Sequence, residues 1–206
     1  MISPIVIGVT GASAQILAER SIDLLLQANY SINLILSKGA YEVWNSENNI
    51  HIPLDSLKQE KFWRERFNNF NGKLTCHKWN ENSASIASGS YKTKGMVILP
   101  CSMGTLGRIA SGSSINLLER CADVHLKEGR PLIISPRESP FNLIHLRNLT
   151  TLCESGARIV PCIPSWYSHP KDLDEMIDFM VVRLFDSLNL ELKQINRWKG
   201  ITQRNF

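Results

Sequence analysis

Five short apolar runs recur along the chain with helical spacing between them, and this alternation constrains the fold more than any other feature. Ile5-Val6-Ile7-Gly8-Val9 comes first, a continuous apolar run of the kind covered on both faces in a sheet. Runs at 32–36, 96–99, 132–134 and 158–160 follow it. Apolar residues at helical spacing occupy 14–27, 105–110, 115–128, 141–154 and 173–188. Strand and helix alternating in this way predict an α/β protein, a parallel sheet with helices on both faces. Right-handed crossovers make an open doubly wound sheet the economical topology. The 206 residues suffice for one such domain, 1–206, with a core that needs no covalent staples. The region 46–94 is less regular. It holds a possible extra strand at 74–79 and a small, polar loop at 82–90, which reads either as a surface excursion or as a lid.

Composition closes off several classes. Charged residues make up 20% and hydrophobic ones 43%, which supports a packed core and excludes disorder as the main state. The formal charge of +4, from 23 Lys and Arg against 19 Asp and Glu, suits small anions. No basic stripe marks a nucleic-acid partner. Cys76, Cys101, Cys121, Cys153 and Cys162 form no CxxC pair, and their odd count argues against a disulfide framework. Reduced thiols in a cytoplasmic protein are expected. Cys101, beside Ser102, is the one candidate nucleophile, with a buried thiol as the plainer reading. The first apolar run is too short to cross a bilayer and no basic segment precedes it, so neither a membrane partner nor export is expected. His51, His77, His125, His145 and His169 include no pair at i, i+3 or i, i+4, so no metal site is expected.

In open α/β sheets ligands lie beyond the carboxyl ends of the strands, so the residues after each apolar run carry the functional information. The five stretches are Thr10-Gly11-Ala12-Ser13-Ala14, Ser37-Lys38-Gly39, Pro100-Cys101-Ser102-Met103-Gly104-Thr105, Pro136-Arg137-Glu138-Ser139-Pro140 and Pro161-Cys162-Ile163-Pro164-Ser165-Trp166-Tyr167. Gly11 allows a tight turn, Ser13 and Ser102 stand where a hydroxyl caps a helix or bonds a ligand, and helix N-termini favour anions. Each feature alone is weak. Together they point to a planar, phosphate-bearing ligand lying across the sheet edge. The dinucleotide spacing GxGxxG is absent. Tyr167 and Lys171 have the spacing of a short-chain dehydrogenase pair, but Pro170 between them is incompatible with a shared helix. Arg120 and Lys127 lie seven apart on one helical stripe, with Asp123 able to pair with both. Arg183 stands among Phe179, Met180, Val181, Val182, Leu184 and Phe185, which predicts a helix that is buried or in an interface. A guanidinium there needs an anion, either Asp186 or a substrate phosphate.

Gly11-Ala12-Ser13, Ser37-Lys38, Ser102-Met103-Gly104-Thr105-Leu106, Asn116-Leu117-Leu118-Glu119-Arg120, Asp123 with Lys127-Glu128, Pro136-Arg137-Glu138 and Tyr167-Ser168-His169-Pro170, taken in order, resemble the UbiX-type flavin prenyltransferases. The likeness runs through nearly the whole chain. Related flavin-dependent cysteine decarboxylases share the fold, but the PxMNxxMW-like segment typical of them is not found. The resemblance implies a flavodoxin-like, homo-oligomeric enzyme, a dodecamer. It would join the dimethylallyl group of dimethylallyl monophosphate to N5 and C6 of reduced FMN without a metal. The prenylated FMN would then serve UbiD-type decarboxylases.

Carried over to matching positions, the resemblance implies that Gly11, Ala12, Ser13, Ser37, Ser102, Met103, Gly104, Thr105 and Arg137 bind FMN. It implies that Tyr167 and Arg183 hold the prenyl phosphate, with Arg120 and Lys127 nearby and Trp198 sheltering the allylic fragment. The catalytic set it implies is Ser13 near flavin N5, Glu138 handling protons, Lys127, and Glu47. One departure stands out: Ala14 occupies a position where the family usually has glycine. An alanine fits there if the local φ is helical, so a small adjustment is expected. A flavin-dependent cysteine decarboxylase and a non-catalytic FMN carrier are the alternatives.

Overall fold

The computed structural model describes residues 3–200 apart from 69, 193, 194, 196 and 199. Six strands, β1 (Ile5–Val9), β2 (Ile32–Leu36), β3 (Leu74–His77), β4 (Gly95–Cys101), β5 (Leu132–Pro136) and β6 (Arg158–Ile159), pair in the order β3-β2-β1-β4-β5-β6. All five pairings are parallel. The helices are α1 (Gln15–Gln27), α2 (Lys38–Asn48), α3 (Ser56–Arg66), α4 (Met103–Ala110), α5 (Leu117–Lys127), α6 (Leu143–Glu154) and α7 (Leu173–Asp186). With the edge strand β3 set aside, this is the flavodoxin-like order, and the doubly wound α/β reading holds. The order reverses between β1 and β4, which places the ligand crevice at their carboxyl ends.

The strand pleat sorts the apolar residues into two cores. Ile5, Ile7 and Val9 of β1, with Val97 and Leu99 of β4, face Leu17, Ile22 and Leu25 of α1 and Val181, Leu184 and Phe185 of α7. Val6, Met96 and Ile98 turn to the other face, against Leu106 of α4 and Leu117, Leu118 and Cys121 of α5. Gly8 is required by this packing, because a Cβ there would stand 3.0 Å from the Leu118 side chain.

Helices α2 and α3 fall where the sequence offers little periodicity. Only Ala40 and Trp44 of α2 and Gln59 and Trp63 of α3 are buried. Their starts are chemically marked instead: Ser37 Oγ accepts from the Ala40 amide at 3.3 Å and Asp55 Oδ1 from the Lys58 amide at 3.1 Å. The two tryptophan rings meet at 5.2 Å, and Phe67 stacks on Trp63 at 5.4 Å. Glu60 of α3 accepts the Cys76 amide at 2.9 Å, occupying a backbone group of the edge strand.

The stretch left open between an excursion and a lid is fastened along α5. The Leu117 amide donates to Trp79 O at 2.8 Å, Cys121 Sγ to Ile86 O at 3.4 Å and Arg120 Nε to Ala87 O at 3.3 Å. Arg130 donates to Tyr91 O at 2.7 Å and also to the Gly89 carbonyl. Thr93 Oγ1 bonds His125 Nε2 at 2.8 Å. These bonds make it an excursion and not a lid.

Candidate functional site

The carboxyl ends of β1 and β4 are tied together by one threonine. Thr10 Oγ1 donates to Pro100 O at 2.8 Å and accepts the Ser102 amide at 2.7 Å. Beneath this loop lies Gln15, fully buried, whose Nε2 donates to Thr10 O at 2.8 Å and to Ala12 O at 2.9 Å. Sequence reasoning missed Gln15; a polar side chain on the inward face of an otherwise apolar helix was the available signal. A Cβ on Gly11 would lie 3.0 Å from Gly39 Cα, so the first and second loops touch through their backbones. Ser37 caps α2, and Ser102 caps α4 by accepting the Thr105 amide at 3.4 Å while also bonding Thr105 Oγ1 at 3.1 Å. With α1, three helix N-termini open on one edge of the sheet. That arrangement favours an anion.

Arg137 joins the same edge, its amide donating to Cys101 O at 3.1 Å. Its Nε is buried and has no hydrogen-bond partner among the described residues. A buried donor left unpaired costs about 1–3 kcal/mol, so this orphan fits an acceptor supplied by a ligand. Glu138, exposed, accepts the Ser139 amide at 3.0 Å. Glu47 Oε2 accepts the Ala14 amide at 3.3 Å, which brings the end of α2 to the first loop. Gly11 and Gly104 are exposed and Ser13 is half-buried, whereas Ala12, Met103 and Thr105 turn their side chains inward. Ala12 and Met103 can therefore serve a ligand through their backbones.

Two expectations about this edge are corrected. Ala14 has φ 80° and ψ 36°, a left-handed conformation and not the helical one expected of it. The loop needs that turn to enter α1, and alanine takes it at a steric cost. Cys101 is fully buried and its thiol is pushed up by that burial, so the nucleophile reading is withdrawn.

A second array lies along α7. The Tyr167 ring meets Phe179 at 5.5 Å and Trp198 at 5.9 Å, both edge-to-face. Arg183, one turn beyond Phe179, projects to solvent with half of its side chain exposed, so within one chain α7 is not buried on every side and the interface alternative is the one left open. The apolar residues around it in sequence, Val181, Val182, Leu184 and Phe185, point inward, and Arg183 takes the remaining flank. Its Nη1 donates to Asp186 Oδ2 at 2.7 Å. Arg197 grips the same carboxylate with both prongs, at 2.7 and 2.9 Å. Hydrogen bonds from Arg197 first, and Arg183 after it, hold the Asp186 carboxyl below the usual carboxylate range.

Arg120 and Lys127 are not part of either array. Arg120 Nη1 pairs with Asp123 at 2.6 Å, and Lys127 pairs with Glu128 at 3.2 Å, not with Asp123. Helix α5 starts beside Trp79, just past β3, and ends beside Thr93, just before β4. Lys127 thus stands at the amino edge of the sheet. A single chain gathers the residues implied for FMN but not the whole set implied for the prenyl phosphate. Among the described residues, no group of three or more His, Cys, Asp or Glu is placed to hold a metal ion.

The flavoprotein family model matches residues 2–185. The chain is 49% identical over 201 residues to the flavin prenyltransferase UbiX of Synechocystis sp., covering 97% of this chain and 98% of that one. It is 37% identical over 194 residues to UbiX of Methanocaldococcus jannaschii, covering 94% and 97%. Among solved structures, AnUbiX in complex with FMN and dimethylallyl pyrophosphate matches with a TM-score of 0.86 at 32% identity, over 98% of this chain and 100% of that one. The dodecameric FMN-dependent UbiX-like decarboxylase from Escherichia coli O157:H7 matches with 0.83 at 33%, over 96% and 100%. With relatives this similar along nearly its whole length, the chain belongs to the UbiX-type flavin prenyltransferases of the flavoprotein family.

Proposed function

We propose that this protein prenylates reduced FMN, joining the dimethylallyl group of dimethylallyl monophosphate to N5 and C6 of the flavin. One observation carries the reading: the orphaned Arg137 Nε beside three helix N-termini at the switch point of the sheet. When bound, reduced FMN supplies the electron-rich ring that accepts the prenyl group. Arg137, the Gly11–Ser13 loop and the loops capped by Ser37 and Ser102 hold and orient that ring, so that reaction becomes a matter of approach. Tyr167 and Arg183 hold the donor phosphate and meet its growing charge as the allylic C–O bond breaks. Glu138 passes a proton to the departing phosphate, with Ser13 and Glu47 on the flavin side. The rings of Tyr167 and Trp198 shelter the electron-poor allylic fragment.

Residues 1–206 act as one flavoprotein domain within a homo-oligomer, a dodecamer. Arg120 and Lys127 reach the phosphate from a neighbouring copy. Exposed Phe141, Leu143, Ile144, Ile163 and Trp166, in and after the loops that follow β5 and β6, support association through this edge. The protein works in the cytoplasm and passes its product to UbiD-type decarboxylases; no helix among the described residues is long and apolar enough to cross a membrane.

Anaerobic incubation with reduced FMN and dimethylallyl monophosphate should yield a flavin heavier by one C5H8 unit in the mass spectrum. An unshifted mass overturns the reading. Carbon dioxide release from a cysteine-terminated peptide, with no prenyl donor present, would place the protein with the decarboxylases instead.

A further inference from the structure

Asp186 is the acceptor for two guanidinium groups, and they hold it unequally. Arg197 uses both prongs on both oxygens, at 2.7 Å to Oδ2 and 2.9 Å to Oδ1, the fork geometry in which arginine–carboxylate pairs are strongest. Arg183 uses one nitrogen on Oδ2, an oxygen that Arg197 already occupies. Both arginines are about half exposed, whereas the Asp186 side chain is only 21% exposed, so the carboxylate is the fixed point of the trio.

We propose that Arg197 is a positioning residue for Arg183: by taking both oxygens of Asp186, it frees the Arg183 guanidinium to turn to the donor phosphate. The inference rests on the reading that Arg183 holds that phosphate. Arg183 and Asp186 are three apart on α7, within reach of each other on any helix of this sequence. Without Arg197, Asp186 would have Arg183 alone, and each turn of Arg183 towards phosphate would strand a carboxylate beside it. A phosphate would then compete with that carboxylate for the same cation. With Arg197 in place, Arg183 can leave while Asp186 keeps its charge partner and two hydrogen bonds. The residue after Arg197 is Trp198, whose ring rests on Tyr167.

The test is a set of variants read by steady-state kinetics on dimethylallyl monophosphate, with FMN affinity as the check on folding. Arg197→Gln should raise KM for the prenyl phosphate about tenfold, with kcat at saturation and FMN affinity close to wild type. Asp186→Asn should leave KM unchanged or lower it. The double variant Arg197→Gln/Asp186→Asn should return KM to near the wild-type value, because the competing carboxylate is gone. A role limited to anchoring the chain end predicts no rescue, since the anchor is absent from the double variant as well. An unchanged KM in Arg197→Gln, or a double variant as weak as the single, overturns the inference. Arg183→Ala is the separate control. If it leaves KM for the prenyl phosphate unchanged, the phosphate assignment of Arg183 falls, whatever Arg197 does.

Discussion

Helices α5 and α7 each carry cations that the family resemblance puts at the prenyl phosphate, and they present them in opposite ways. On α5, Arg120 is bound to the Ala87 carbonyl and to Asp123, and the helix around it is fastened to the 79–93 excursion at six positions, from Trp79 to Thr93. On α7, Arg183 keeps, among the described residues, a single bond to a shared oxygen in an open array of rings and charges. A phosphate gains an already fixed charge from the first kind of residue and an adjustable one from the second. Helix α5 carries Lys127 to the amino edge of the sheet, away from the loops that follow the strands. On the proposed reading, α5 therefore offers its cations to the site of a neighbouring copy.

The largest effect that would break this comparison is a loss of activity that mixing repairs. Arg183→Ala and Lys127→Ala should each lower turnover of the prenyl donor by about 10²–10³-fold, the scale of one lost charge-stabilising contact in a transition state. When the two variants are dissociated, mixed and reassembled, some sites will combine an intact α5 from one copy with an intact α7 from another. Activity of the mixture should then rise well above that of either variant alone. A mixture no better than its components would show that both cations act within one subunit, and the division between the two helices would be wrong.

A smaller effect sharpens the comparison from the α5 side. His125 is fully buried and neutral in the fold: Nδ1 donates to the Cys121 carbonyl at 2.7 Å, and Nε2 faces Thr93 Oγ1 at 2.8 Å. Burial pushes the imidazole below its usual value; the bond to Cys121 opposes it, and the Arg130 charge adds a smaller downward push. Burial also lowers His77, on the far side of the excursion, where Nε2 bonds Asn33 Oδ1 at 2.8 Å. An unfolded histidine takes up its proton near pH 6.5, and these two do so only at lower pH when folded. Their contribution to stability is therefore complete above about pH 6.5 and is lost as the pH falls towards their folded values. Hydrogen exchange on acidification should loosen residues 84–94 before α7. Protection lost first from α7 would contradict the fastening described for α5.

How much of this was legible in the sequence depends on where the signal resided. Strands β1, β2, β4 and β5 are buried on both faces, so their apolar runs announced them, and the residues after each run fall on the carboxyl edge of the sheet. Helices α2 and α3 bury only two side chains each, and their stability rests on caps and on the Trp44–Trp63 contact, which periodicity does not register. For Arg183 the sequence offered Asp186 as a partner, and the two do pair, but the apolar residues beside it belong to the inward face, and only the three-dimensional turn shows the narrow flank it keeps. Gln15 was passed over because its work is done on two carbonyls that a sequence does not position. The resemblance named the phosphate cations as a set of positions but carried no information on how α5 and α7 divide them within one chain.

The smallest predicted effect bears on the α7 side, through α1. Leu17 of α1 and Val181 and Leu184 of α7 line one small cavity, and Arg20 pairs with Asp178 at 2.6 Å, so strain at the start of α1 is felt along α7. Ala14 holds φ at 80°, a conformation that costs an L-residue about 1–2 kcal/mol and glycine nothing. Glycine also gives the unfolded chain more freedom, which offsets about 0.4–1 kcal/mol of the gain. Ala14→Gly should therefore stabilise the protein by about 0.5–1 kcal/mol, read as a higher urea midpoint with an unchanged slope. Protection should rise in α1 and α7 and stay level in 84–94. Had residue 14 been helical, as its sequence context suggested, the same substitution would destabilise by a similar amount. The sign of one small shift thus decides between the two conformations.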